Sequence, residues 1–202
     1  MKYIDKIEHL LPLGYVFLVL MGIIKESVFF YQIGINILTY SSIMDILISP
    51  LATLTSNPFT LIAVIIIIVL HFYLPNILLK NDHKNWVRKL FELKKTKDEL
   101  SAEDLNKYYI TISIKTLCTS ILSIFLGFGL AGGYFISKKI KNNKLEYDYK
   151  LNYNSGESEN VFIINSNTEY YFYIAKGNQT IKIAPVASIK NIELTNNRML
   201  NK

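Results

Sequence analysis

Leu61-Ile-Ala-Val-Ile-Ile-Ile-Ile-Val-Leu70 is the stretch that decides the fold of this chain. It lies within Phe59 to Leu79, 21 residues without an aspartate, glutamate, lysine or arginine. A helix needs about 20 apolar residues to cross about 30 Å of hydrocarbon. Around this core no lysine or arginine occurs from Glu26 to Leu79, 54 residues, although the chain carries 22 of them. Bilayers impose that asymmetry, because basic side chains are retained on the cytoplasmic side. Asn57-Pro58 reads as a turn before the span, and Lys80 opens a dense basic segment after it. His71, Pro75 and Asn76 crowd the last third, where a proline kinks a helix and frees a carbonyl. His71 reads either as a titrating or ligand-binding group or as a donor to a carbonyl on a neighbouring helix.

Two further spans are expected, at about 10–31 and 117–137. In the first, the uncharged run from Leu10 to Ile24 is too short to cross alone, and extension to Tyr31 places Lys25 and Glu26 near one end. Charges inside a span are costly, so this pair reads as an intramembrane polar or pore-mouth feature, or as an interfacial anchor. The third span ends in Gly127-Phe-Gly-Leu-Ala-Gly-Gly133. Gly127, Gly129 and Gly132 satisfy G-x-G-x-x-G, but a dinucleotide fingerprint must follow a buried strand, and here it sits inside an apolar helix. Gly129 and Gly133 instead form a G-x-x-x-G pair that lets helix backbones approach closely. These glycines are expected to pack helices, within the chain or between copies. Lys115, just before the span, reads as a pore-mouth cation or as an interface anchor.

Between the first two spans, Gly34 to Ser49 is too apolar for a solvated loop and too interrupted to cross. Ser41 or Ser42 can cap a short interfacial helix whose Ile43, Ile46 and Leu47 share one face, with Pro50 following. Asp45 reads as a solvated face residue or a cation ligand. Lys80 to Lys107 carries eight basic and six acidic side chains. Trp86, Leu90 and Leu93 recur there at helical spacing beside Val87 and Phe91, a stripe that fits anionic lipid headgroups or a soluble cytosolic partner. Ser101-Ala-Glu-Asp104 is a capping box from which a helix should run into the third span.

After Lys144 the period changes to strict alternation, Lys144-Leu-Glu-Tyr-Asp-Tyr-Lys-Leu-Asn-Tyr153, the mark of a half-buried strand. Turns at Asn154-Ser-Gly156, Asn165-Ser-Asn167 and Gly177-Asn178 separate short apolar runs at Val161 to Ile164, Tyr170 to Ile174 and Ile181 to Ile183, and Ile189 to Leu194 closes the series. The expected fold class is therefore a membrane α-helical protein, with three transmembrane helices plus an interfacial helix, and a small C-terminal all-β domain, a twisted sheet or barrel of SH3-like or Sm-like type. The domains are 1–142, including the charged amphipathic loop 80–108, and 143–202 with a flexible C-terminus.

Composition agrees with a membrane location: 202 residues, 50% hydrophobic, with a net charge of +6 and a mean hydropathy of +0.24. Basic clusters beside apolar spans point to anionic headgroups, not to nucleic acid. Cys118 is the single cysteine, so no intrachain disulfide forms. His9, His71 and His83 lie in different segments, and no nucleophile–base grouping or P-loop can be assembled. No enzyme activity, metal or cofactor is expected.

The charge count puts the N-terminus and loop 80–108 in the cytoplasm of a cell (inner) membrane, so three spans leave the β-domain outside. Lys138, Lys139, Lys141 and Lys144 follow the third span and favour the opposite side, which a re-entrant third segment would satisfy. Three spans, a glycine-rich last span and a small β-domain together resemble small-conductance mechanosensitive channels. Gly177-Asn-Gln-Thr-Ile-Lys-Ile-Ala-Pro-Val-Ala-Ser-Ile189 is similar to the strand and turn that end that family's β-domain. The chain departs from the family in its long charged loop, in its charge count and in lacking a second α/β domain. Two functions follow as expectations: a homo-oligomeric pore-forming or sensing assembly with a β-domain collar, or a non-conducting membrane anchor or sensor that recruits a soluble partner.

Overall fold

The computed structural model describes residues 2–95 and 99–196. Among them are helices α1 (Lys2–Tyr31), α2 (Ile43–Ser56), α3 (Pro58–Asn81), α4 (Asn85–Leu90) and α5 (Ala102–Lys141). Strands β1 (Tyr149–Tyr153), β2 (Ser158–Ser166), β3 (Tyr170–Ala175), β4 (Ile181–Pro185) and β5 (Ile189–Leu194) follow. Three helices contain segments long and apolar enough to cross a membrane: Pro12–Tyr31, Pro58–Asn81 and Asp104–Lys141. The flexible C-terminus expected from the sequence lies outside the described residues beyond 196.

The helix starts follow side-chain capping. Asn57 Oδ1 accepts from the Phe59 and Thr60 amides at 3.0 and 3.4 Å, with Pro58 at the first helical position. Ser101 Oγ accepts from the Asp104 amide at 3.2 Å and donates to its carboxylate, so α5 begins 15 residues before the apolar span read from the sequence. At α2, the Asp45 amide donates to Ser42 Oγ at 3.1 Å, while the Ser42 amide donates back to the Asp45 carboxylate at 2.9 Å.

Proline does not end α2. The helix continues through Pro50 to Ser56, at the cost of one hydrogen bond, because Pro50 has no N–H to offer the Ile46 carbonyl. That carbonyl faces Gly22 of α1, where any β-carbon would overlap it.

By its internal contacts the chain forms two compact units, residues 1–50 with 127–202, and residues 51–126. The second unit has its core where α3 meets the folded charged loop and the start of α5. Leu74, Leu78, Val87, Leu93, Tyr109 and Ile112 are buried together. The Tyr109 hydroxyl donates to the buried Asp82 carboxylate at 3.0 Å. Inside α3, Pro75 leaves the His71 carbonyl without its helical donor, and the Ser113 hydroxyl of α5 donates to that carbonyl. Ser113→Ala is expected to cost about 1 kcal/mol in detergent-solubilised protein, read as a lower thermal midpoint. Pro75→Ala restores the helical donor, so in that background Ser113→Ala should cost much less.

The first unit contains α1, the glycine-rich end of α5 and the sheet. Strand order is β4-β3-β2-β1-β5, antiparallel throughout. Gly156 and Gly177 take positive φ in the hairpin turns read from the sequence. Only Val186–Ser188 joins the two edge strands β4 and β5. Pro185 and Ile189 are therefore at most about 14 Å apart. Flat pairing would separate edge strands by about 19 Å, four strand spacings, so the sheet must roll. Irregular register at Asn152/Tyr153 and between Ile163 and Asn165 supplies the bend. The inner face holds the buried Leu151, Val161, Tyr173 and Ala175.

Of the two forms expected, twisted sheet or barrel, the sheet is the open one and not a closed barrel, since β4 and β5 remain edges. Pro185 cannot donate to a partner, and Lys190, Asn191 and Glu193 make β5 a polar, exposed edge.

Candidate functional site

A polar concavity of the β-domain lies on the sheet's inner face. Register aligns Ile163 with Tyr173 and Tyr173 with Lys182, while Leu151 faces Glu159. Alternation then turns Tyr153, Glu159, Tyr173 and Lys182 to one side. The Tyr153 hydroxyl donates to Glu159 Oε2 at 2.8 Å and lies 2.7 Å from the Tyr173 hydroxyl. Lys182 Nζ donates to Glu159 Oε1. With Ser155, Glu157 and Ser188 these side chains line a cavity of about 320 Å³.

The Lys182 ammonium holds the Glu159 carboxyl below its usual range, and the same bond raises Lys182. Burial, then the contacts to Tyr173 and Glu159, pushes the Tyr153 phenol well above its ordinary value. Glu159 is depressed in the folded state, so its contribution is complete above the ordinary value of 4.5 and disappears as pH falls through the lower native value. Stability of the full-length protein in detergent should therefore be level from neutral pH down to the ordinary value of 4.5 and fall between there and the lower native value. Glu159→Gln should remove that part of the acid dependence while lowering the neutral plateau. Period-two alternation in the sequence marks strands here, but the cluster draws on three of them and cannot be read before the register is known.

A second set of contacts joins the sheet to the end of α1. Phe30, Ile37 and Phe172 are buried together, with the Phe30 and Phe172 rings edge-to-face at 4.9 Å. Tyr40 meets the Tyr170 and Phe172 rings. The Asn167 amide donates to the Tyr40 carbonyl at 2.8 Å. Asp45 is not a lone solvated carboxylate: its Oδ1 accepts from the Thr168 amide at 3.1 Å and from the Thr168 hydroxyl at 2.8 Å. Burial opposes its ionisation, but the Ser42 and Thr168 donors outweigh that and hold the carboxyl below its ordinary value.

Gly129 and Gly133 lie against α1 of the same chain. A β-carbon on Gly129 would stand 2.6 Å from the Lys25 carbonyl oxygen, and one on Gly133 2.6 Å from that of Phe29. Gly132 lies under the Phe29 ring, and Gly127 has open space beside it. Gln32, unremarked in the sequence, donates to the Leu130 carbonyl at 3.0 Å and the Gly129 carbonyl at 3.3 Å. Lys25 pairs with Glu26 at 2.7 Å and donates to Ser49 Oγ at 2.8 Å, and Ser49 also bonds Glu26. Both charges are thus compensated inside the unit by a serine that the sequence did not mark.

The remaining expected positions lie in the other unit and do not converge. His71 Nδ1 lies 2.7 Å from the Ile67 carbonyl of its own helix. Lys115 makes an exposed ion pair with Glu92 at 2.8 Å, which holds the Glu92 carboxyl below its usual range. The stripe Trp86, Leu90 and Leu93 divides: Leu93 is in the core beside Val87, while Trp86 and Leu90 are 64% and 65% exposed. Helix α4 is only six residues long, so Leu93 lies beyond it and helical spacing no longer governs its direction. Among the described residues, no group of three or more His, Cys, Asp or Glu side chains is placed to hold a metal ion. In comparisons with protein-family models, curated proteins and solved structures, nothing matches this chain.

Proposed function

We propose that the chain is a multi-pass membrane protein whose C-terminal sheet acts as a sensing or assembly module carried on a membrane helix. The observation that supports it best is the seat of Phe172 on Phe30 and Ile37, which couples β3 to the end of α1. The rolled five-stranded order fits an SH3-like or Sm-like module in its open form. A non-conducting anchor or sensor is the better of the two functions, because α1 of the same chain fills the face of Gly129 and Gly133. Its partner would be a soluble protein meeting Trp86 and Leu90. The second reading, a homo-oligomeric pore with the sheet as collar, draws on the exposed apolar surface of α3, including Ile62, Ile65, Ile66 and Val69.

Parallel packing supports the proposed topology. Lys25 meets Gly129 and Phe29 meets Gly133, so α1 and α5 advance in the same direction, as the first and third of three crossings should. The N-terminus and loop 80–108 then share the cytoplasmic side of a cell membrane, and the sheet lies outside. Cys118→Ser with Ser155→Cys tests this on intact cells with a membrane-impermeant maleimide. Labelling without permeabilisation is the expected result, and labelling only after permeabilisation reverses the topology. Purified protein in liposomes should release no more trapped dye than empty liposomes, whereas release in proportion to protein would favour the pore.

A further inference from the structure

Residues of α3 and α5 within the second unit line an open groove of about 480 Å³, within the size range of small-molecule sites. Its lining changes character along the helices. Asn76 and Asn106 line it nearer the charged loop, and Ile68, Phe72 and Leu117 line it farther along. From Asn76 to Ile68 the helix rises by roughly 12 Å. Among the described residues, no hydrogen bond engages the side-chain amide of Asn76 or Asn106. His71 Nδ1, 2.7 Å from the Ile67 carbonyl, is the donor there, since a carbonyl oxygen only accepts.

We propose that this groove binds one membrane glycerolipid from the leaflet on the side of the charged loop. The Asn76 and Asn106 amides would donate to its ester carbonyls, and one acyl chain would lie along Ile68, Phe72 and Leu117. The inference rests on the membrane reading above. Three features carry it together: free amide donors at one end, an apolar floor at the other, and a gradient that follows the depth of a bilayer. A lipid has that same order, with esters at the interface and chains toward the centre. A water-soluble ligand would leave the apolar floor unmatched, and a purely apolar one would make no use of the two amides.

The test uses the full-length protein in phosphatidylethanolamine–phosphatidylglycerol vesicles containing a phosphatidylglycerol with a diazirine on one acyl chain. After irradiation, label should concentrate on 68–76 and 106–117 over the equally apolar segment 62–66, by about fivefold. Ile114→Trp, which fills the groove, should abolish that preference while the protein stays in the membrane after alkaline carbonate. Even labelling along α3, or a preference unchanged by Ile114→Trp, overturns the lipid site. Extraction by carbonate overturns the membrane reading, and this site with it. Should Ile114→Trp fail to fold, Asn106→Leu removes an exposed donor without adding bulk. It should weaken the preference about fivefold, and an unchanged preference overturns the proposal equally.

Discussion

Gly133→Leu is expected to separate α5 from α1. The first side-chain carbon would already stand 2.6 Å from the Phe29 carbonyl and 2.5 Å from the Gln32 amide nitrogen. Backbone cannot yield as a flexible side chain can, so the helices must part or shift in register. Overpacking of this kind costs about 3 kcal/mol, and the Gln32 bonds to the Gly129 and Leu130 carbonyls are lost with it. The variant should unfold at lower temperature in detergent and elute as an aggregate on size exclusion. Gly129→Leu should behave alike, because its β-carbon would meet the Lys25 carbonyl. Gly127→Leu supplies the control: nothing lies within 4 Å of its β-carbon, and stability should be nearly unchanged. If Gly133→Leu remained monodisperse with an unshifted midpoint, this helix contact would not hold the fold.

Phe172→Ala carries the other large effect. The side chain is fully buried, and its ring packs edge-to-face on Phe30 at 4.9 Å and near Tyr40 at 6.0 Å. Emptying such a site costs about 3 to 5 kcal/mol. The loss should fall on the seat of the sheet against α1 more than on the sheet itself, whose inner face relies on Leu151, Val161, Tyr173 and Ala175. Expected results are faster amide exchange over residues 29–40 and faster proteolysis between 142 and 148, with a β-sheet signal that persists. Ile192→Ala, at a residue 37% exposed, should alter neither. Equal loss of sheet and seat would mean that the β-domain cannot fold without α1.

Much of this architecture was legible because bilayers and strands impose simple periods. The uninterrupted run Leu61 to Leu70 and the alternation from Lys144 to Tyr153 located a long apolar helix and the start of the sheet, although pairing begins only at Tyr149. Ser101 and Asp104 announced the true start of α5. What could not be read were contacts made across long separations. Asp45 was only a lone carboxylate until Thr168 met it, 123 positions later. Ser49 and Gln32 are unremarkable letters whose partners are fixed by helix crossing, and Lys182 acquires Glu159 only through the register of the sheet. Pro50, read as following that short helix, lies inside it, because a local rule for ending helices gave way to packing against Gly22.

The seat of the sheet on α1 also dictates an order of events during synthesis. Phe30 and Ile37 leave the ribosome early, while Phe172 lies 142 positions after Phe30. Strands β1 to β4 are successive neighbours and can pair as they emerge, whereas β5 must return to β1 past all of them. Non-local closures of this kind are slow and leave apolar surface uncovered in the meantime. The end of α1 therefore waits for its cover until β3 has been made. A premature stop before β3 would be felt at Phe30, 140 positions before that strand begins.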